Sequence, residues 1–163
     1  MTSDLTEVLR ENLEIAARMH HHLERSRQQI AGDVPLQPEQ ISQLDDAQID
    51  RLDLYLARLS TLQDFITSKL FRSVALASLE DTSQDVSLID ALRRMEKYDI
   101  IHDFDEWLGI RLLRNSFTHE YLTDEATIAE NINTAFSAYE ILSETLVGVR
   151  QYYEMHIIQG GKG

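Results

Sequence analysis

The residues best suited to chemistry lie between Trp107 and Tyr121, in the sequence WLGIRLLRNSFTHEY. No aspartate or glutamate occurs from Leu108 to His119, although the whole chain carries a formal net charge of −13. On a helix, positions three, four and seven apart share one face. The segment therefore presents a polar stripe formed by Arg111, Arg114, Thr118 and Tyr121, with Asn115 and His119 beside it. A permanent cation, a histidine that titrates near neutral pH and a phenol on one surface suit the binding of a phosphate.

The spacing of the cation and the histidine leaves two interpretations open. Arg114 and His119 are five residues apart, which places them about 140° apart on an ideal helix. Two copies of the helix that meet across a symmetric dimer would bring His119 of one chain near Arg114 of the other. Alternatively, the segment is a polar helix end, in which Arg114 pairs with Glu120 or Asp124 and His119 lies near the C-terminus, where a cation is favoured.

The elements that hold this segment are predicted to be helices. Both of the two prolines lie in the loop Gly32–Pro38, and only six glycines occur in the chain. A sequence so poor in helix breakers and rich in Leu, Ala, Glu, Gln and Arg is typical of helices. The apolar spacing predicts five of them. They run from about Asp4 to Ile30, from Pro38 or Asp46 to Leu79 with a kink or break, from Leu88 to about Tyr98, from about Asp103 to Glu120, and from Thr123 or Asp124 onward.

The last helix has the most regular apolar pattern, with alternating steps of four and three residues that are typical of packed bundle helices. Its apolar positions are Ile128, Ile132, Ala135, Tyr139, Leu142, Leu146, Val149 and Tyr153. In the preceding helix, Ile110, Leu113 and Phe117 share the side that faces a core. We therefore expect an all-α fold, an antiparallel up-and-down bundle of four-helix type with an extra short helix. Residues 1–158 should form a single domain and residues 159–163 a flexible C-terminal tail.

Composition restricts the classes of protein to which the chain can belong. The 163 residues include no cysteine, which leaves neither a disulfide framework nor a thiol nucleophile. The charged, periodic N-terminal sequence lacks the apolar run of a signal peptide, and no apolar stretch is long enough to span a bilayer. We therefore expect a soluble cytoplasmic protein with no membrane partner. The net negative charge argues against nonspecific coating of nucleic acid, which needs clustered Lys and Arg, but permits a small local phosphate site.

The remaining motifs favour structural roles. No phosphate-binding glycine loop, HExxH motif or calcium loop occurs, so neither a cofactor nor a metal is expected. His20, His21 and His22 are adjacent, and adjacent helical positions cannot converge on one ion, so we interpret them as a solvated or partly packed face. The acidic groups at Asp45 and Asp103 are interpreted as helix starts, where the helix dipole favours them. Trp107 is interpreted as a core or interface anchor.

The sequence RNSFTHEY from Arg114 to Tyr121 resembles the signature of the HEPN superfamily, in which an arginine, four residues, a histidine, one residue and a tyrosine follow one another. The resemblance is closest to the HepT toxins, which also have the asparagine directly after the arginine, here Asn115. The helical context agrees, since one long helix follows the motif. The resemblance covers residues 1 to about 158, and its specific part is the motif itself.

The resemblance implies a homodimeric, metal-independent endoribonuclease whose two motifs form one cleft. His119 would act as general acid or base, and Arg114 would stabilise the charge that develops on the phosphate, with Asn115, Thr118 and Arg111 in support. In the family, the partner is a small MNT nucleotidyltransferase antitoxin, which transfers AMP from ATP to the tyrosine of the motif. That residue here is Tyr121.

Two other functions are compatible with the sequence. The chain could be a non-catalytic helical module that docks a nucleotidyltransferase or presents substrate to it, and its acidity suits attraction of a basic partner. It could also be a structural dimeric bundle in which RNSFTHEY has no chemical role. If the chain is instead a ribonuclease, its acidity means that only a few basic residues near the motif can attract RNA, namely Arg111, Arg114, Arg93, Arg94 and Lys97.

Overall fold

The computed structural model describes residues 2–79, 85–113 and 124–159, and these residues are almost entirely helical. Six α-helices occur in the described ranges: α1 Thr2–Ile30, α2 Asp46–Phe65, α3 Phe71–Ser78, α4 Leu88–Lys97, α5 Phe104–Leu112 and α6 Glu125–Tyr152. A 3₁₀ turn at Pro38–Gln43 precedes α2, and a π-helical turn at Ile66–Leu70 separates α2 from α3. A second π-helical segment, Tyr153–Ile158, follows α6. No strand occurs within these ranges, which confirms the predicted all-α class.

Helix starts are fixed by short polar side chains that accept hydrogen bonds from otherwise unpaired backbone N–H groups. Asp45 accepts from Gln48 N at 2.8 Å, and Ser87 accepts from Asp90 N at 3.1 Å. Asp103 accepts from Glu106 N at 2.9 Å. The interpretation of Asp45 and Asp103 as helix starts is therefore confirmed.

The predicted boundaries agree with the structure where the residues are described. The break expected in the long second helix is the π-helical turn at Ile66–Leu70. The first helix begins at Thr2, two residues before the predicted start at Asp4. For the helix predicted from Asp103 to Glu120, the described part is α5, Phe104–Leu112, and residues 114–120 lie outside the described residues.

The order of contacts along the chain gives the packing. Asn12 donates to the carbonyl of Lys69, in the π-helical turn that follows α2, whereas Arg58 of α2 donates to Ser26 Oγ at 2.7 Å. Helices α1 and α2 therefore run antiparallel. Contacts of His20 with Ser143 and of Arg27 with Glu140 show the same relation between α1 and α6. Helix α1 thus lies between α2 and α6, and both of these helices run antiparallel to it.

Helix α5 also runs antiparallel to α2, because Trp107 contacts Thr67 and Arg111 contacts Asp64. The four helices of the bundle are α1, α2 continued by α3, α5 and α6. Helix α4 is the additional short helix. This is the predicted up-and-down bundle of four-helix type, and the described helices share one hydrophobic core.

The apolar pattern predicted for the last helix faces this core. Most of its positions are buried, namely Ile132, Ala135, Tyr139, Leu142 and Val149. Ile128, Leu146 and Tyr153 are partly buried against the same cluster. The Tyr55 hydroxyl, buried on α2, donates to the Ala135 carbonyl at 2.6 Å and so joins α2 to α6.

Two hydrogen bonds hold the proline-rich loop against α6. The Asn133 side chain accepts from Leu36 N at 2.7 Å and donates to Leu36 O at 2.9 Å. Leu36 itself is 3% exposed. Because one side chain satisfies both backbone groups of a buried residue, the loop between α1 and the 3₁₀ turn is fixed in position.

We expect Asn133→Ala to lower the free energy of unfolding by about 1–3 kcal/mol, because both backbone groups of Leu36 lose their partner. Denaturant unfolding measures this change. Thr134→Ala, at the exposed neighbouring position, is the matched control and should change stability by less than about 0.5 kcal/mol. Equal stability of the two variants would contradict a stabilising role for the hydrogen bonds between Asn133 and Leu36.

Candidate functional site

Most residues of the predicted site lie outside the described residues. These are Arg114, Asn115, Thr118, His119 and Tyr121. Arg111, the remaining predicted site residue, is described. The structure therefore defines the helix from which the chain enters the motif, α5, and the start of the helix that follows it, α6.

Trp107 anchors α5 in the core, as the sequence predicts. Its side chain is 1% exposed, and its ring lies 5.1 Å from the Phe71 ring between centroids, at an interplanar angle of 47°. The indole Nε1–H donates to Thr67 Oγ1 at 2.9 Å. A buried indole N–H needs such an acceptor, since an unpaired donor in the core is costly.

The backbone of α5 is held from the same side. Gln63 Nε2 donates to the Trp107 carbonyl oxygen at 2.6 Å, and Thr67 Oγ1 donates to the Gln63 carbonyl at 2.7 Å. Gln63 is 2% exposed and Thr67 is 8% exposed. The three residues therefore form a connected set of buried hydrogen bonds between α2, the π-helical turn and α5.

Arg111 lies one helical turn after Trp107, at the exposed edge of the contact between α5 and α2. Its Nε is 3.6 Å from Asp64 Oδ1, and the two side chains are 50% and 41% exposed. Exposed ion pairs contribute little to stability, so Arg111 remains able to leave Asp64 for a stronger anion. Ile110 and Leu113 are buried, which confirms the predicted core side of this helix for these two residues. Phe117 lies outside the described residues.

The end of α5 also exposes an apolar side chain. Leu112 is 77% exposed, although the neighbouring Leu113 is buried. Such exposure at one position is common on protein surfaces. Leu112 lies two residues before Arg114, where the predicted motif begins.

The histidine run forms a partly packed helix face, as expected. His20 Nε2 is 2.7 Å from Ser143 Oγ, and its ring stacks on Tyr139 with centroids 5.1 Å apart. His21 and His22 are exposed. Within residues 2–79, 85–113 and 124–159, no cluster of three His, Asp or Glu residues is arranged to hold a metal ion.

Arg93 and Arg94 of α4 each lie beside an aromatic side chain. The Arg93 guanidinium is 5.9 Å from the Phe104 ring centroid. Tyr98 stacks on Tyr152 with centroids 4.8 Å apart, and its hydroxyl is 3.2 Å from Ser78 Oγ. Burial acts to raise the pKa of Tyr98, but hydrogen bonds with Ser78 and Arg94 outweigh it and hold the pKa below its usual value. These contacts join α3, α4 and α6.

Comparison with known proteins adds no family. No protein-family model, curated protein or solved structure matches the chain. The resemblance to the HEPN superfamily therefore depends on the motif and the helical class. Among the described helices, none is both long and apolar enough to cross a membrane.

The residues that hold α5 do not stand out as functional in the sequence. Gln63 and Thr67 lie on the apolar side of the second helix, among Leu59, Ile66 and Leu70. Two polar residues at core positions of an amphipathic helix indicate that a hydrogen-bond partner lies nearby, because buried polar groups require partners. The partner could not be assigned, since Trp107 lies some forty residues away in sequence.

His20 provides a test of the packing between α1 and α6. Burial lowers its pKa from the ordinary value, and the nearby carboxylates of Glu24 and Glu140 only partly offset this effect. The folded state therefore favours the neutral ring. The contribution of neutral His20 to the free energy of unfolding is complete above the pKa of the unfolded state, about 6.5. It is lost as the pH falls from there towards the lower pKa of the folded state.

We expect His20→Gln to flatten the loss of stability between roughly pH 7.5 and roughly pH 5.5, because the charged imidazolium no longer has to be accommodated. Urea unfolding at each pH measures the effect. His22→Gln, at an exposed position on the same helix, should retain the wild-type pH dependence. A wild-type slope in His20→Gln would show that this histidine is not the group responsible.

Proposed function

We propose that this chain is a HepT-like toxin of the HEPN superfamily, an endoribonuclease that acts without a metal and is silenced by a nucleotidyltransferase antitoxin. The observation that carries the proposal is the motif Arg114-Asn115-x2-Thr118-His119-x-Tyr121 in a chain whose described residues are almost entirely helical. Its acidic residue Glu120 falls at a position that the signature leaves variable. The local absence of acids before it, in a strongly acidic chain, also favours a phosphate ligand.

In the proposed reaction, the 2′-hydroxyl of RNA attacks the adjacent phosphodiester. A base removes the hydroxyl proton as the O2′–P bond forms, and the P–O5′ bond breaks as the 5′ oxygen takes up a proton. The products are a 2′,3′-cyclic phosphate and a 5′-hydroxyl end. His119 serves in proton transfer at neutral pH, and Arg114 stabilises the charge on the pentacoordinate phosphorus.

The described part of the chain supports two features of this proposal. Arg111 is half exposed and forms a surface ion pair with Asp64, which a phosphate near the motif could replace. Leu112 places an exposed apolar side chain beside it. A second copy of the chain would cover Leu112, and a symmetric homodimer would also bring Arg114 of one protomer towards His119 of its partner.

Silencing would follow from transfer of AMP to Tyr121 by the MNT-type partner. The phenol oxygen attacks the α-phosphate of ATP, a P–O bond forms, pyrophosphate leaves and the phenol proton passes to a base. The attached nucleotide adds negative charge two residues from His119. It would therefore both occupy the phosphate site and repel the RNA backbone.

A non-catalytic module that docks a nucleotidyltransferase is the second candidate. The net charge of −13 favours it, since such a surface attracts a basic protein more readily than RNA. A docking module would bind the transferase and tolerate changes at Arg114 and His119. A toxin made alone would slow growth, and the same changes would relieve it.

The first prediction of this proposal concerns the motif. Purified, unmodified protein should cleave RNA and leave cyclic phosphate ends, and His119→Ala or Arg114→Ala should reduce kcat by about 10²–10⁴-fold. Product ends and rates are measured on a labelled RNA. Arg10→Ala, on the exposed side of α1, removes a cation elsewhere and should retain activity. Wild-type rates in both motif variants would refute the proposed roles.

The second prediction concerns Arg111. We expect Asp64→Asn to lower KM for RNA by roughly twofold to fivefold, because a negative charge beside Arg111 is removed, an effect of about 1 kcal/mol in water. Arg111→Ala should raise KM and abolish the gain in the double variant, with kcat little changed. Asp50→Asn, at another exposed acid of α2, controls for the change in net charge. An equal fall in KM for Asp50→Asn would exclude a local effect.

A further inference from the structure

The π-helical turn Ile66–Leu70 has a geometric effect on the residues around it. Phe71 N–H donates to the Ile66 carbonyl, five residues earlier. In a regular α-helix with 3.6 residues per turn, positions four apart rotate by about 40° at each step. A π turn takes more residues per turn and offsets that rotation. Gln63, Thr67 and Phe71, spaced by four, therefore face the same neighbour.

That neighbour is Trp107, which each of the three residues contacts in a different way. Gln63 binds its carbonyl oxygen at 2.6 Å, Thr67 binds its indole N–H at 2.9 Å, and Phe71 packs against its ring. The side chains are buried, so water does not compete for these bonds. Together the contacts fix the depth of the indole and the rotation of α5 about its axis.

Helix α5 depends on such contacts for its position. Its described part has nine residues, and isolated helices shorter than about 12–15 residues are marginal in water. It is apolar on more than one side, with Trp107 and Ile110 buried and Leu112 exposed. The apolar pattern alone therefore specifies its rotation poorly, whereas directed hydrogen bonds specify one orientation.

We infer that Gln63 and Thr67 are positioning residues for the proposed ribonuclease, which act through Trp107 to fix the point and direction from which the chain enters Arg114. The inference rests on the proposed function. It assigns to the π-helical turn a role in catalysis, in agreement with the frequent occurrence of such turns at functional sites. Neither residue touches the substrate.

The test uses Thr67→Val, which keeps the shape of the side chain and removes the acceptor for the indole. Thr145→Val is the matched control, because Thr145 is also buried and also donates its hydroxyl to the carbonyl four residues earlier. Thr67→Ser restores the hydroxyl and should rescue. Trp107 is the only tryptophan in the chain, so its fluorescence reports directly on the contact.

For Thr67→Val we expect a shifted tryptophan emission, faster amide exchange in residues 108–112, and a fall in kcat of about tenfold to a hundredfold from misplacement of the site. KM should change by less than about twofold, because RNA contacts remain. Thr67→Ser should recover kcat. Thr145→Val should retain wild-type emission, exchange and kcat even if it lowers thermal stability by a similar amount.

A purely structural role would give a different result. If folded Thr67→Val lost stability but cleaved RNA with the kcat of Thr145→Val, positioning would be overturned. If Thr67→Val did not fold, Gln63→Met would carry the same test, since it removes the donor to the Trp107 carbonyl. Unchanged exchange and kcat in folded Gln63→Met would equally overturn the inference.

Failure of the proposed function has its own signature. If the wild-type protein cleaved no RNA, the proposed ribonuclease activity would be wrong, and the effect of the two positioning residues on kcat would be wrong with it. The exchange experiment would still decide whether they fix α5. Loss of protection in residues 108–112 of Thr67→Val alone would support the positional part, and unchanged protection would overturn it.

Discussion

The need to pair polar groups in a dry core governs the part of the fold closest to the proposed site. A tryptophan gives α5 a large apolar anchor, but its N–H cannot be buried without an acceptor. Thr67, in the π-helical turn, supplies that acceptor, and Gln63 donates a hydrogen bond to the backbone carbonyl of Trp107. The long second helix and the short helix before the motif are thus joined by directed bonds in addition to apolar packing.

Charge pairing restricts where RNA could bind to this acidic chain under the proposed function. Several arginines are already engaged: Arg10 with Glu7 and Glu14, Arg27 with Glu140 and the Phe136 ring, Arg51 with Asp33, and Arg72 with Asp85. Cations neutralised in this way attract little at a distance, since salt screens what remains. Recognition of RNA by this protein would therefore be local and would depend on the arginines at the motif.

Sequence patterns predicted the class and most of the boundaries because helix periodicity, capping residues and breakers are local signals. Ser87 and Asp103 each start a helix where the pattern places one, and the apolar seam of the last helix faces the core. The site was predicted only as a motif. The support of α5 was not foreseen, because the bond between Thr67 and Trp107 joins distant positions and depends on the rotation introduced by a π turn.

The position of α1 between α2 and α6 has a consequence for synthesis of the chain. Its contacts with α2 and the π-helical turn join residues 32 to 57 positions apart, as in Arg58 with Ser26 and Asn12 with Lys69. Its contacts with α6 reach across 123 positions, as in His20 with Ser143. On the ribosome, the hairpin of α1 and α2 can pair early, whereas the other face of α1 waits for the last helix. The bundle therefore closes only after the whole motif has been translated.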